Sequence, residues 1–134
     1  MIDARPVERV KVGCCGFPRG MKDYFNQFKL VEVQQTFYKP PRLETALRWR
    51  KETPSDFEFT LKAWQLITHP ASSPTYRKAL LKILPGSEDN YGFFRASDEV
   101  RAAWEETMRI AEALGAKIIV FQCPPSFKET DENI

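Results

Sequence analysis

The chain has 134 residues, 43% apolar and 28% charged, which is enough for one domain with a packed core. A net charge of +2, with acidic and basic residues interspersed, argues against a nucleic-acid or anionic-membrane surface. Apolar runs such as Ile118-Ile119-Val120-Phe121 fall far short of the roughly 18 residues of a membrane helix. Met1 to Pro6 lacks a basic segment followed by an apolar one, so a cytoplasmic location is expected.

Val10 to Gly16 alternates small apolar side chains and runs into glycine, which predicts a first strand ending in the turn Gly16-Phe17-Pro18-Arg19-Gly20. Met21 to Phe28 is long enough only for a short helix or an irregular crossover. Lys29 to Gln34 reads as the second strand, followed by Gln35-Thr36-Phe37-Tyr38 and two prolines, Pro40 and Pro41. Leu43, Ala46, Leu47 and Arg50 recur at helical spacing until Thr53-Pro54 stops the helix.

Phe57 to Lys62 alternates strictly, with Phe57, Phe59 and Leu61 on one face and Glu58, Thr60 and Lys62 on the other, and is the third strand. Ser73-Pro74 opens a predicted helix through about Leu84, closed by Pro85-Gly86. Ser87 to Arg95 has the composition of a loop carrying Tyr91, Phe93 and Phe94. Ser97 is the predicted N-cap of the clearest helix, with Val100, Trp104, Met108, Ala111 and Leu114 as its apolar stripe and Gly115 as its stop. Lys117 to Gln122 is the fourth strand, ended by Pro124-Pro125, and Glu129 to Ile134 reads as the start of another helix.

Strand alternating with helix, with connections too long for hairpins, is the pattern of parallel βα units. The expected architecture is α/β, the first four strands of a TIM-barrel-like fold in one (βα)4 domain over residues 1–134. Such units place all strand ends on one edge, where α/β folds build their sites.

Val31 and Val33 share a face of the second strand, so Glu32 and Gln34 share the other, and on the third strand that other face holds Thr60 and Lys62. A carboxylate and an ammonium buried there cost several kcal/mol each, on the order of magnitude of charge desolvation, unless paired. A buried Glu32–Lys62 ion pair is therefore expected at the mouth of the sheet. It would either fix strand register or face a ligand. His69, in Thr68-His69-Pro70 just beyond a strand end, is the side chain whose ordinary pKa suits proton transfer near neutrality. Glu32, Lys62 and His69 are the candidate catalytic residues, and Gly16, Thr36, Tyr38, Thr68 and Gln122 the candidate ligand contacts.

Trp49 and Trp104 lie on predicted helices and are read as packing. Cys14, Cys15 and Cys123 form an odd set with no metal-ligand spacing and are expected as reduced thiols on buried strands. Neither a metal nor a cofactor is expected. Gly13-x-x-Gly16 lacks the third glycine and the lysine of a phosphate loop.

Gly13-Cys14-Cys15-Gly16-Phe17, Val31 to Tyr38, Phe57 to Ala63, Thr68-His69 and Gln122-Cys123-Pro124-Pro125-Ser126-Phe127, in that order, resemble the DUF72 family, also called YecE-like proteins. The resemblance runs from about residue 10 to the end. It implies a TIM barrel with a pocket at the carboxyl ends of its strands, and it supplies positions without a reaction. The recurring polar positions of that family fall on Glu32, Thr36, Tyr38, Lys62, Thr68, His69 and Gln122. Gln34 stands where the family usually has asparagine, and Phe17 where it usually has tryptophan.

Barrels of this type run to roughly 250 residues, so the chain is expected to be a fragment or one part of a split protein, with self-association next. The expected function is binding of a small anionic or polyhydroxy ligand at the strand ends, with hydrolase, lyase or isomerase chemistry possible. Whether the protein is an enzyme is left open. The alternative is a non-catalytic module that binds a ligand or a partner. A nucleic-acid-processing barrel fits poorly, since the strand ends carry few carboxylates and one histidine.

Overall fold

The computed structural model describes residues 10–18 and 20–133. Met1 to Pro6, Arg19 of the predicted turn and Ile134 lie outside the described residues. Four strands, β1 (Cys14–Cys15), β2 (Leu30–Val33), β3 (Glu58–Lys62) and β4 (Ile118–Val120), form one sheet in the order β1-β2-β3-β4. Each neighbouring pair is parallel. Between them run α1 (Met21–Gln27), α2 (Gln35–Tyr38), α3 (Leu43–Glu52), α4 (Gln65–Thr68), α5 (Pro74–Lys78) and α6 (Asp98–Leu114). Sequential order with parallel pairing is what consecutive βα units produce, and the sheet is that of a partial βα barrel.

The alternation in β3 places Phe59 and Leu61 on one face, where both are buried with Val31 and Val33 of β2 and with Phe57 just before the strand. Tyr24 and Phe25 from α1, Ala46 from α3, and Ile110, Ala111 and Leu114 from α6 cover that face. Phe57 meets the Phe25 ring edge-on at 4.7 Å between centroids. Each such large side chain contributes about 1.5–3 kcal/mol on burial.

The α6 caps are those the sequence predicts. Ser97 Oγ accepts a hydrogen bond from Val100 N–H and itself donates to Asn90 O, and Gly115 ends the helix at φ 64°. The apolar stripe is rotated from the predicted one. Val100, Ala103, Thr107, Ile110, Ala111 and Leu114 are buried, whereas Met108 is half-buried and Trp104 keeps 38% exposure. The reason is close approach: small Ala103 and Ala111 face inward, and the bulky indole stays outside.

Several predicted elements depart from expectation, and β4 too is shorter than the predicted Lys117 to Gln122. Only Cys14 and Cys15 of the first strand join the ladder, because the Tyr24 hydroxyl is inserted into it. That hydroxyl accepts from Cys14 N–H and donates to Leu30 O, replacing a direct strand-to-strand bond. The helix from Pro74 ends at Lys78 instead of Leu84. Leu80 turns left-handed at φ 55°, Leu81 N–H reaches back to Tyr76 O, and the last carbonyls are closed off as in a glycine-terminated helix. Residues 131–133 form a turn, with Asn133 N–H donating to Thr130 O, and no helix is present there.

The cysteines also depart from expectation. Cys14 is half-buried, but Cys15 points away from the helix-covered face and Cys123 lies past the end of β4, and both are exposed. No helix among the described residues is long and apolar enough to cross a membrane.

Candidate functional site

The strand register aligns Cys15 with Glu32, Glu32 with Thr60 and Thr60 with Ile118, with Lys62 opposite Val120 one row further on. This is the face that the helices do not cover. Glu32 and Lys62 therefore look out on the same side, as the alternation requires.

Their contact is looser than the expected buried pair. Lys62 Nζ stands 3.9 Å from Glu32 Oε1, beyond direct hydrogen bonding, and the side chains keep 18% and 24% exposure. Each head group instead has a glutamine. Gln34 Nε2 donates to Glu32 Oε1 at 2.8 Å, and Lys62 Nζ donates to Gln122 Oε1. Gln34, which follows β2 on the same face, thus belongs with the charged cluster. A lysine ammonium has three donors, and the Gln122 contact uses one. The arrangement is a short row of acceptor, donor and two carboxamides on an open face.

Gly16 supports the edge of this row. Its N–H donates to Glu32 O at 2.8 Å, and its φ of 79° favours glycine. Tyr38 is exposed at the end of α2, and its carbonyl accepts from Trp64 Nε1 and Gln65 Nε2, tying the loops after β2 and β3 together. Thr36 is buried with its hydroxyl donating to Val33 O.

Thr68 and His69 form a second group. His69 is 6% exposed and hydrogen-bonded through Nδ1 to Thr68 Oγ1 at 2.8 Å, with its ring edge-on to Phe37 at 5.0 Å. Burial pushes the His69 pKa below its ordinary value. The Tyr76 hydroxyl donates to His69 O, and the Gly92-Phe93-Phe94 turn donates its N–H groups to Leu66, Thr68 and Ile67 carbonyls. Among the described residues, no hydrogen bond or ion pair joins His69 to Glu32 or Lys62. Of the five acidic, basic and amide residues singled out at the strand ends, Glu32, Gln34, Lys62 and Gln122 thus form an open row and His69 is a buried histidine beside Phe37.

Two features carried little signal in the sequence. Gln65 is fully buried and bridges Tyr38 O and Thr75 O through Nε2, a polar residue at an apolar position. Phe93 and Phe94, both left-handed, meet Phe127 in an aromatic group at the strand-end rim, where Phe93 stacks on Phe127 at 5.7 Å. A cavity of about 290 Å³ opens beside this group, lined by Phe94, Trp104 and Phe121 with Arg95 and Arg101. It lies beyond β4 and away from Glu32 and Lys62.

The profile described as "Protein of unknown function DUF72" matches residues 15–134. The chain belongs to the DUF72 family. Curated DUF72-like relatives include the UPF0759 protein YecE of Escherichia coli strain K12 and its counterpart in strain O157:H7. Each is 38% identical over 52 residues, a stretch covering 39% of this chain and 19% of the relative. No solved structure gives a significant match. The fold is therefore that of a DUF72 member, and the family places no reaction on Glu32, Lys62 or His69.

Proposed function

We propose that this DUF72 chain binds a small anionic or polyhydroxy ligand over the open row at the carboxyl ends of β2, β3 and β4. The observation that carries this reading is the Lys62 ammonium, held by Gln122 and only 3.9 Å from the Glu32 carboxylate, on a face with no helix over it. A cation with donors to spare takes a carboxylate or phosphate oxygen, while Glu32 and the two carboxamides accept and donate to hydroxyls. Gly16 and Tyr38 border the same rim, with Thr36 and Thr68 behind it. In a hydrolase, lyase or isomerase, Lys62 would stabilise developing negative charge with Glu32 as its orienting partner, and His69 would carry the proton.

One observation favours the non-catalytic reading. His69 is buried against Phe37 and bonded to Thr68, which suits a loop anchor. We place the protein in the cytoplasm, a reducing setting in which Cys14, Cys15 and Cys123 remain thiols.

The test is a thermal-shift and ligand-detected NMR screen of sugar acids, sugar phosphates and neutral polyols on the wild type and Lys62→Met. Stabilisation by anionic polyols that disappears in Lys62→Met supports the reading, and equal stabilisation in both overturns it. Turnover of a bound compound, lost in His69→Ala, would select the enzyme; binding without turnover would select the module.

A further inference from the structure

A second cavity, of about 510 Å³, lies on the helical side of the fold, and no member of the polar row lines it. It is bounded by α6 on one side and by the segments that follow β2 and β3 on the other. Its size is within the range of small-molecule sites.

The walls are aromatic and apolar. Leu66 and buried Ala103 supply apolar surface, and Trp64 and Tyr91 supply rings. Trp64 is held at two points: its backbone N–H donates to Thr107 Oγ1 at 3.3 Å, and its indole Nε1–H donates to Tyr38 O at 3.2 Å. With that one polar atom engaged, the indole has only its π surface to offer a ligand. The Tyr91 ring stands edge-on to Tyr76 at 6.3 Å between centroids. Burial first, and the nearby Glu99 carboxylate second, push the Tyr91 pKa up, so the ring stays a neutral phenol beside a negative charge.

Three charged side chains reach the cavity: Glu99, Glu106 and Lys39. Arg109 donates to both Glu106 oxygens, at 2.9 Å and 2.7 Å, so that pair is neutral. Glu99 accepts from Asn90 Nδ2 at 3.0 Å through Oε1 alone, and no cation pairs with it among the described residues. Lys39 is exposed, where water and salt screen its charge. One free carboxylate falls far short of the roughly six oxygens a hard metal ion takes. A guanidinium or primary ammonium would likewise leave N–H donors unmatched against walls so poor in acceptors.

We infer that this cavity binds a small alkylated ammonium ion, its methyl groups against Trp64 and Tyr91 and its charge facing Glu99. A bulky cation without N–H donors is matched by π faces, apolar surface and a single carboxylate. This inference stands apart from the ligand reading, because no wall of the cavity includes Glu32, Lys62 or His69.

Choline, and the neutral alcohol in which a tert-butyl group replaces its trimethylammonium, separate charge from shape. In NMR titrations of the protein, choline should shift the Trp64 indole N–H resonance, assigned with Trp64→Phe, and the alcohol should leave it in place. Glu99→Gln keeps an oxygen for Asn90 and should weaken choline binding about fivefold or more, through loss of the attracting charge. Equal shifts from the two compounds, or choline binding as tight in Glu99→Gln as in the wild type, overturn the inference. So does a Trp64 resonance that choline leaves unmoved.

Discussion

Lys62 and Glu32 bring opposite charges to 3.9 Å across the β2–β3 ladder, yet neither makes its short hydrogen bond to the other. Gln34 donates to the Glu32 carboxylate and Gln122 accepts from the Lys62 ammonium, while each head group remains partly open to water. A charge pair of this kind adds little to stability, because partial hydration compensates for the loss of either member.

Lys62→Met is therefore expected to lower unfolding stability by no more than about 1 kcal/mol. Glu32 keeps the Gln34 donor in that variant. Urea denaturation measures it, and a loss above about 3 kcal/mol would show a pair whose separation strands a buried charge.

Gly92→Ala should be far more costly. A Cβ at Gly92 would overlap the His69 carbonyl, the backbone there is left-handed at φ 78°, and Gly92 N–H is bonded to Leu66 O at 2.8 Å. Backbone has to move, so the expected loss is on the order of 2–4 kcal/mol. Chemical denaturation gives the magnitude, and the His69 ring resonances in NMR report whether the loop behind Phe37 has shifted.

Leu80→Asn should stabilise the protein. Leu80 holds φ 55° at the end of α5 with its side chain 83% exposed, so the left-handed strain comes without compensating packing. Asparagine tolerates that conformation, and relief of roughly 0.5–1 kcal/mol is expected. A rise in melting temperature checks it, and an unchanged or lower one would mean that the isobutyl group packs in solution.

The pH dependence follows from His69. Its folded pKa lies below the ordinary 6.5 because burial disfavours the imidazolium. The unfolded chain takes up the proton near 6.5 while the folded chain still resists it, so the unfolded state binds more protons as pH falls through this window. The contribution of neutral His69 is present in full above that pH and declines below it. Melting curves from about pH 7.5 to about pH 5 should fall more steeply for the wild type than for His69→Gln. Parallel curves would contradict this.

Much of the fold was legible because strand and helix periods are local properties. The alternation Phe57, Phe59, Leu61 and the pair Val31, Val33 set which faces are buried, and that alone puts Glu32 and Lys62 on one side of the sheet. Ser97 and Gly115 marked the ends of α6 through backbone chemistry that needs no tertiary context. The candidate polar row, including Gln122, followed from strand-end position.

Tertiary structure decided what local pattern cannot contain. The Tyr24 hydroxyl shortens β1 by bonding to both strands, a contact between residues that only folding brings together. Inward packing of Ala103 and Ala111 turns Trp104 outward, although periodicity alone allows either face. The burial of His69 against Phe37, and the placing of Gln34 beside Glu32 and Gln122 beside Lys62, depend on side-chain and loop conformations that no local pattern sets. Sequence fixes which residues reach the rim, because side-chain direction alternates along a strand; distance across the rim depends on how the strands and loops pack, and that is settled only in three dimensions.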